Sequence, residues 1–178
     1  MLKIKVPETE FYDERAGEFV NVKEQALTLE HSLLSIAKWE SKWKKPFLSS
    51  NDKSYAEQVD YIRCMTITPD VDPIVYRCLT NSNIKAINEY IESPMTATTI
   101  KSNNRRSNKI ITSEVIYGWM VSLGIPFETQ KWHLNRLMML IQVCSIQNQP
   151  EKKMSRKEAM RQQRTLNAAR RAKTGSRG

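Results

Sequence analysis

Two histidines, three cysteines and four tryptophans are the residues of this 178-residue chain best able to carry chemistry or recognition. His133 stands beside Trp132 in ITSEVIYGWMVSLGIPFETQKWHLNRLMMLIQVCSIQNQP, the stretch from Ile111 to Pro150. A histidine base needs a nucleophile within hydrogen-bond reach and a group that orients it. On a helix the nucleophile would be a Ser, Cys or Asp three or four residues further on, and none stands there. Adjacent residues on a helix point about 100° apart, so Trp132 and His133 are not expected to act together. His31 is so remote in sequence that only the tertiary fold could bring it to His133. Cys64, Cys78 and Cys144 are odd in number, widely spaced and free of any CxxC pair. That pattern opposes a disulfide framework and a structural zinc site, and makes them small core residues. The chain holds no GxGxxG, Walker-type loop, GxSxG or HExxH, and only five glycines. The expectation is a protein without catalytic residues, metal or cofactor.

The elements that position these residues follow from periodicity. Leu2-Lys3-Ile4-Lys5-Val6 alternates apolar and charged residues as a half-buried strand does, and Pro7 ends it. FYDERAGEFV reads as a hairpin whose Gly17 can take positive φ, and QALTLEHS as a further strand. Ser32 is placed to cap a helix running to about Lys44, with Leu33, Ile36, Ala37, Trp39 and Trp43 on its apolar face and Pro46 as its stop. A helix capped near Ser54 is expected to turn Tyr55, Val59, Ile62 and Met65 inward. Asp72-Pro73 opens a short helix, and NSNIKAINEYIESP forms another, closed by Pro94. TATTIKSNNRRSNKI is a polar loop holding Lys101, Arg105, Arg106 and Lys109, read as a solvated connection.

Ile111 to Pro150 resolves into two helices. Thr112 is the expected cap of the first, with Val115, Ile116, Trp119, Met120 and Leu123 as its buried stripe. Gly124-Ile125-Pro126 matches a helix end with a left-handed glycine, a hydrophobic contact and a breaker. The second helix buries Leu134, Leu137, Met138, Ile141 and Cys144, and Leu140 and Val143 widen the stripe, so both sides of this helix are expected to be covered. Asn135 and Arg136 are read as polar surface or cap partners. Packing rather than catalysis explains the stretch, and it likewise explains the Trp39–Trp43 pair better than an exposed stacking surface does.

Charge is unevenly placed. The net charge is +9, and Glu151 to Gly178 carries ten Lys or Arg against two Glu, while the other 150 residues hold 18 basic and 17 acidic side chains. Ser155-x-x-Glu158 is a capping box ahead of strong helix formers, so a basic helix is expected from about Arg156 to Ala172. Lys152, Lys153, Arg156, Lys157, Arg161, Arg164, Arg170, Arg171 and Lys173 are the candidate contacts to an acidic partner or to nucleic acid. Composition does not rank those two, although the near-neutral body favours a protein. With a mean hydropathy of −0.55 and no apolar run of about 20 residues, no membrane partner is expected. MLKIKVPETE lacks a secretory h-region, which points to the cytoplasm. The fold class is α+β, mainly helical. A small antiparallel sheet (residues 1–30) precedes a helical core (31–150) and a basic C-terminal helix or tail (151–178).

The blocks HSLLSIAKWESKWKKPFL, DYIRCMTI, NEYIESPMTAT, IITSEVIYGWM, IPFETQKWHLNRLMMLIQVCSIQNQP and KKMSR…LNAARR follow one another along the whole chain. They resemble successive blocks of a small tailed-bacteriophage family similar to the tail assembly chaperones encoded near the tape-measure gene. IPFETQKWHLNRL is the most specific of them. The resemblance implies a non-enzymatic factor in the host cytoplasm that holds tape-measure or tail-tube protein until the tail polymerises. A chaperone of that kind needs an adaptable apolar surface, for which Trp39, Trp43, Trp119, Trp132, Met138 and Met139 are the candidates. Its basic tail would meet an acidic client or give way to another domain in a frameshifted product. The alternatives are a structural virion component at the head–tail join or in the tail, and a small nucleic-acid-binding protein acting through its tail.

Overall fold

The computed structural model describes residues 1–13, 17–50, 52–100, 110–149 and 156–175. Two antiparallel ribbons open the chain. Strand β1 (Leu2–Val6) pairs with β4 (Gln25–Leu29), and between them β2 (Thr9–Asp13) pairs with β3 (Glu18–Val22). Ile4 lies opposite Leu27 and Leu2 opposite Leu29, so the period-2 alternation sends Ile4, Val6, Leu27 and Leu29 into the core and Lys3 and Lys5 outward. Gly17, at φ +69°, supplies the left-handed residue of the β2–β3 turn.

Among the described residues five helices complete the body: α1 (Leu33–Trp43), α2 (Tyr55–Met65), α3 (Asn81–Glu92), α4 (Ser113–Ser122) and α5 (Leu134–Gln147). Short 3-10 turns occupy Pro73–Arg77 and Phe127–Lys131. Helix α1 is central, packing against both α2 and α4, while α3 lies against β1. Its start is fixed by a capping box in which the Ser32 and Ser35 side chains serve each other's backbone N–H. Its end is fixed by Lys44 in the left-handed region. The segment leaving α2 runs along β4, with Glu30 N–H donating to Met65 O (2.9 Å) and Ile67 N–H to Thr28 O (2.8 Å). The fold is α+β and mainly helical, with the core between β1, β4 and α1–α5.

The α4 corner has the expected geometry. Gly124 takes φ +65°, Ile125 N–H donates to Met120 O (2.8 Å), Gly124 N–H donates to Val121 O (3.2 Å), and Ile125 is buried. Several inward assignments are corrected. Tyr55 is 72% exposed because it is the first residue after the Ser54 cap, and Tyr61 takes the inward place. Val115 is exposed because the buried row of α4 is Ser113, Ile116 and Met120, and Val115 lies about 100° off it. Met138 and Cys144 flank the buried row Leu134, Leu137 and Ile141 and are only half-buried. Trp132 and His133 precede α5 in extended backbone, since His133 bridges Ser32 and Leu134 N–H donates to His31 O (2.7 Å). A 3-10 turn at Phe127–Lys131 follows that helix end and separates α4 from α5.

Residues 148–178 form a second compact unit, in which α6 spans Arg156–Thr174. This is the basic helix expected from the sequence, two residues longer. The loop residues Lys101, Arg105, Arg106 and Lys109, the capping-box Ser155, and Lys152 and Lys153 lie outside the described residues. Among the described residues no helix is long and apolar enough to cross a membrane.

Candidate functional site

The two histidines, far apart in sequence, meet in the core. Their ring centroids lie 5.1 Å apart at 66°. They belong to a continuous chain of rings through the body: Trp43 to Trp39 (6.2 Å), Trp39 to Phe47 (5.1 Å), Phe47 to Tyr61 (4.0 Å), Tyr61 to His31 (5.9 Å) and, beyond the histidine pair, His133 to Tyr90 (4.9 Å). The chain ties α1, α2, α3 and the entry to α5 together. Edge-to-face and offset ring pairs each add about 0.5–1.5 kcal/mol beyond area burial, so this row is a principal brace of the body.

Hydrogen bonds fix the chemistry of the pair. His133 Nε2 meets Tyr90 O (3.0 Å), and a carbonyl only accepts, so Nε2 carries the proton. His133 Nδ1 then accepts from Asn135 N–H (3.3 Å), which sets the neutral Nε2–H tautomer. His31 Nδ1 pairs with the Tyr61 hydroxyl (2.5 Å), and the Tyr90 hydroxyl donates to Glu30 Oε1 (2.6 Å). His31 and His133 are only 3% and 6% exposed. Burial, reinforced by the neighbouring His133, lowers the His31 pKa to about 3, and burial lowers that of His133 as well. Burial also pushes the Tyr61 and Tyr90 hydroxyls up. At neutral pH all four side chains are uncharged: His31 is bonded to the Tyr61 hydroxyl, His133 to the Tyr90 carbonyl, and the two imidazoles meet edge to face. Among the described residues no group of three or more His, Cys, Asp or Glu could hold a metal ion.

A second polar cluster holds α1 to α2 and α4. Glu40, buried in α1, accepts from Phe47 N–H and from Ser113 N–H, each at 2.7 Å. It therefore caps α4 from across the fold, while the Thr112 side chain makes no capping bond. Trp39 Nε1–H donates to Glu57 O (2.9 Å) and Trp43 Nε1–H to Asp60 Oδ2 (2.8 Å). Lys42 pairs with Asp60 and Lys45 with Glu57, and the Lys45 hydrogen bond holds the Glu57 carboxyl below its usual range. Asn135, read as a cap partner, donates to Ile91 O (3.0 Å) and Ser93 O (2.8 Å) at the end of α3. The three cysteines are free, and burial raises the Cys64 and Cys78 thiols away from the reactive thiolate.

The six candidate client-binding residues separate on this frame. Trp39 is fully buried and presents nothing to a partner, which removes it from such a surface. Trp43 is half-buried, its indole N–H already engaged by Asp60. Trp119 and Met138 flank the core. Trp132 is half-buried under the Arg136 guanidinium, 4.2 Å from its ring centroid. Met139 heads a second row on α5, with Val143 and Ile146 following at i+4 and i+7 on the side away from Leu134, Leu137 and Ile141. Met139 and Val143 are half-buried and Ile146 is 49% exposed. Nearby in sequence, Tyr117 and Val121 share a flank of α4, and the largely exposed Phe127 ring lies 6.1 Å from Tyr117. The cover expected on both sides of α5 is complete only along the inner row, and the outer row is uncovered in part.

Of the candidate tail contacts, Arg156, Lys157, Arg161, Arg164, Arg170, Arg171 and Lys173 fall on α6, where every described side chain is exposed, and Lys152 and Lys153 lie outside the described residues. No protein-family model matches the chain, and no significant similarity joins it to a curated protein or to a solved structure.

Proposed function

We propose that this protein is a non-enzymatic assembly factor of tailed-bacteriophage tail morphogenesis, which holds tape-measure or tail-tube protein before polymerisation. The observation that carries the reading is the outer row of α5. Met139, Val143 and Ile146 repeat at helical spacing opposite an equally apolar inner row, on a helix whose inner side is already packed. A partly uncovered row of that kind suits an amphipathic client helix laid along it through i, i+3 or i+4 anchors. Methionine adapts to varied side chains, and the stacked Arg136–Trp132 pair gives one end of the row a polar rim. The order of sequence blocks along the chain supports the same family of functions. The two histidines are engaged internally and take structural roles in this account.

The test is coexpression with a tape-measure segment that aggregates alone. The proposal expects the segment to stay soluble and to copurify. Met139→Lys with Ile146→Lys should abolish this while leaving the fold intact by circular dichroism. Aggregation of the segment despite equimolar protein would defeat the proposal.

A further inference from the structure

We infer that α6 carries a binding face for duplex DNA that grips phosphates without reading sequence. The inference rests on α6 alone and is independent of the client-binding proposal. Lys157, Arg161, Arg164 and Arg171 stand at i, i+4, i+7 and i+14, which places them in one row along the helix. The row is about 21 Å long at 1.5 Å per residue. Its i+11 position is Ala168, small enough to let a phosphate backbone approach closely. All five residues are solvent-exposed, and Glu158 is the one acidic residue between positions 156 and 174. Three of the four cations are arginines, whose planar forks match phosphate oxygens.

The kind of polyanion follows from what α6 contains. No aromatic residue occurs from 156 to 174, so the helix offers no ring on which the bases of a single strand could stack. A-form RNA has a deep, narrow major groove, in which a helix about 10–12 Å across finds no seat against the phosphates. B-form DNA has a major groove about 12 Å wide, which admits a helix about 10–12 Å across. A helical protein partner would need an apolar seam. The large apolar residues of α6 are Met160 and Leu166, about half exposed and on different sides of the helix. Charge complementarity therefore favours duplex phosphate.

The experiment uses the full-length protein and a short fluorescent duplex of arbitrary sequence, with anisotropy followed across a salt series. Four phosphate contacts predict a log–log salt slope of about −3.6. Arg161→Gln, Arg164→Gln and Arg171→Gln together keep helix propensity and should flatten the slope to about −1, with affinity falling at least roughly tenfold near 0.1 M salt. Arg170→Gln with Lys173→Gln, off the row, should leave most of the slope. A wild-type slope shallower than about −1 would overturn the inference and make α6 a solvated extension, with no variant needed to decide. Tighter binding to single-stranded DNA, or equal competition by poly-glutamate at matched charge, would overturn it in favour of another polyanion. No client protein is present, so failure of client binding leaves this result unaffected.

Discussion

Lowering the pH from 7 to 5 should cost the body of this protein about 2 kcal/mol through His31 alone, from a pKa of about 3 when folded against 6.5 when unfolded. Below pH 6.5 the unfolded chain takes up a proton on this imidazole that the folded chain refuses until about pH 3. The stability linked to His31 is therefore complete above pH 6.5 and lost progressively as pH falls toward 3. Each unit inside that window is worth about 1.4 kcal/mol per group. His133 is shifted in the same direction and adds to the loss. The lowered Glu57 and Glu114 carboxyls lose their contribution only as pH falls below their ordinary value of 4.5, so the range from 7 to 5 isolates the histidines. The assay is urea unfolding at fixed ionic strength, followed by tryptophan fluorescence. All four tryptophans lie in residues 1–147, so the signal reports the body and not α6. His31→Gln should be less stable at pH 7, because it disrupts the bond to Tyr61, and should show a visibly flatter pH dependence. A wild-type stability unchanged between pH 7 and 5, or an undiminished slope in His31→Gln, would refute the reasoning.

Other perturbations separate the roles assigned here. Glu40→Ala strips Phe47 and Ser113 N–H of a buried acceptor and should cost about 2–4 kcal/mol in chemical unfolding, against less for Glu40→Gln, which keeps one oxygen. Leu137→Ala, at a fully buried position of α5, should cost about 2–5 kcal/mol, whereas Met139→Ala on the outer row should cost well under half of that. Gly124→Ala meets no atom within 4 Å, so its cost is the left-handed backbone alone, about 1 kcal/mol by thermal unfolding.

The features legible in the sequence are those written over short spans. The alternation in β1, the Ser32 and Ser54 caps, the Asp72-Pro73 start and the Gly124-Ile125 corner each depend on residues within one or two turns of each other. The packing role of Trp39 was legible because an i, i+4 aromatic pair on an apolar face has few other uses. Facing was misread at Tyr55 and Val115 because a single helical row does not reveal how wide the covered arc is. The histidine pair and the cap that Glu40 places on α4 were not legible, since both join groups brought together only by the tertiary fold. His133 is also displaced from its helix by a bridge to Ser32, a bond that no local periodicity encodes. The outer row of α5 was visible as an excess of apolar positions, but its partial exposure needed the three-dimensional packing.

The outer face of α5 is proposed to hold a tail component before assembly. This role is tested most directly by a nuclease-treated pull-down of tagged protein from phage-infected cells, with Met139→Lys/Ile146→Lys in parallel and bound proteins identified by mass spectrometry. Tape-measure or tail-tube protein is expected with the wild type, and its loss with the variant. Capsid, portal or connector proteins in its place, or a recovery that the variant leaves unchanged, would contradict it.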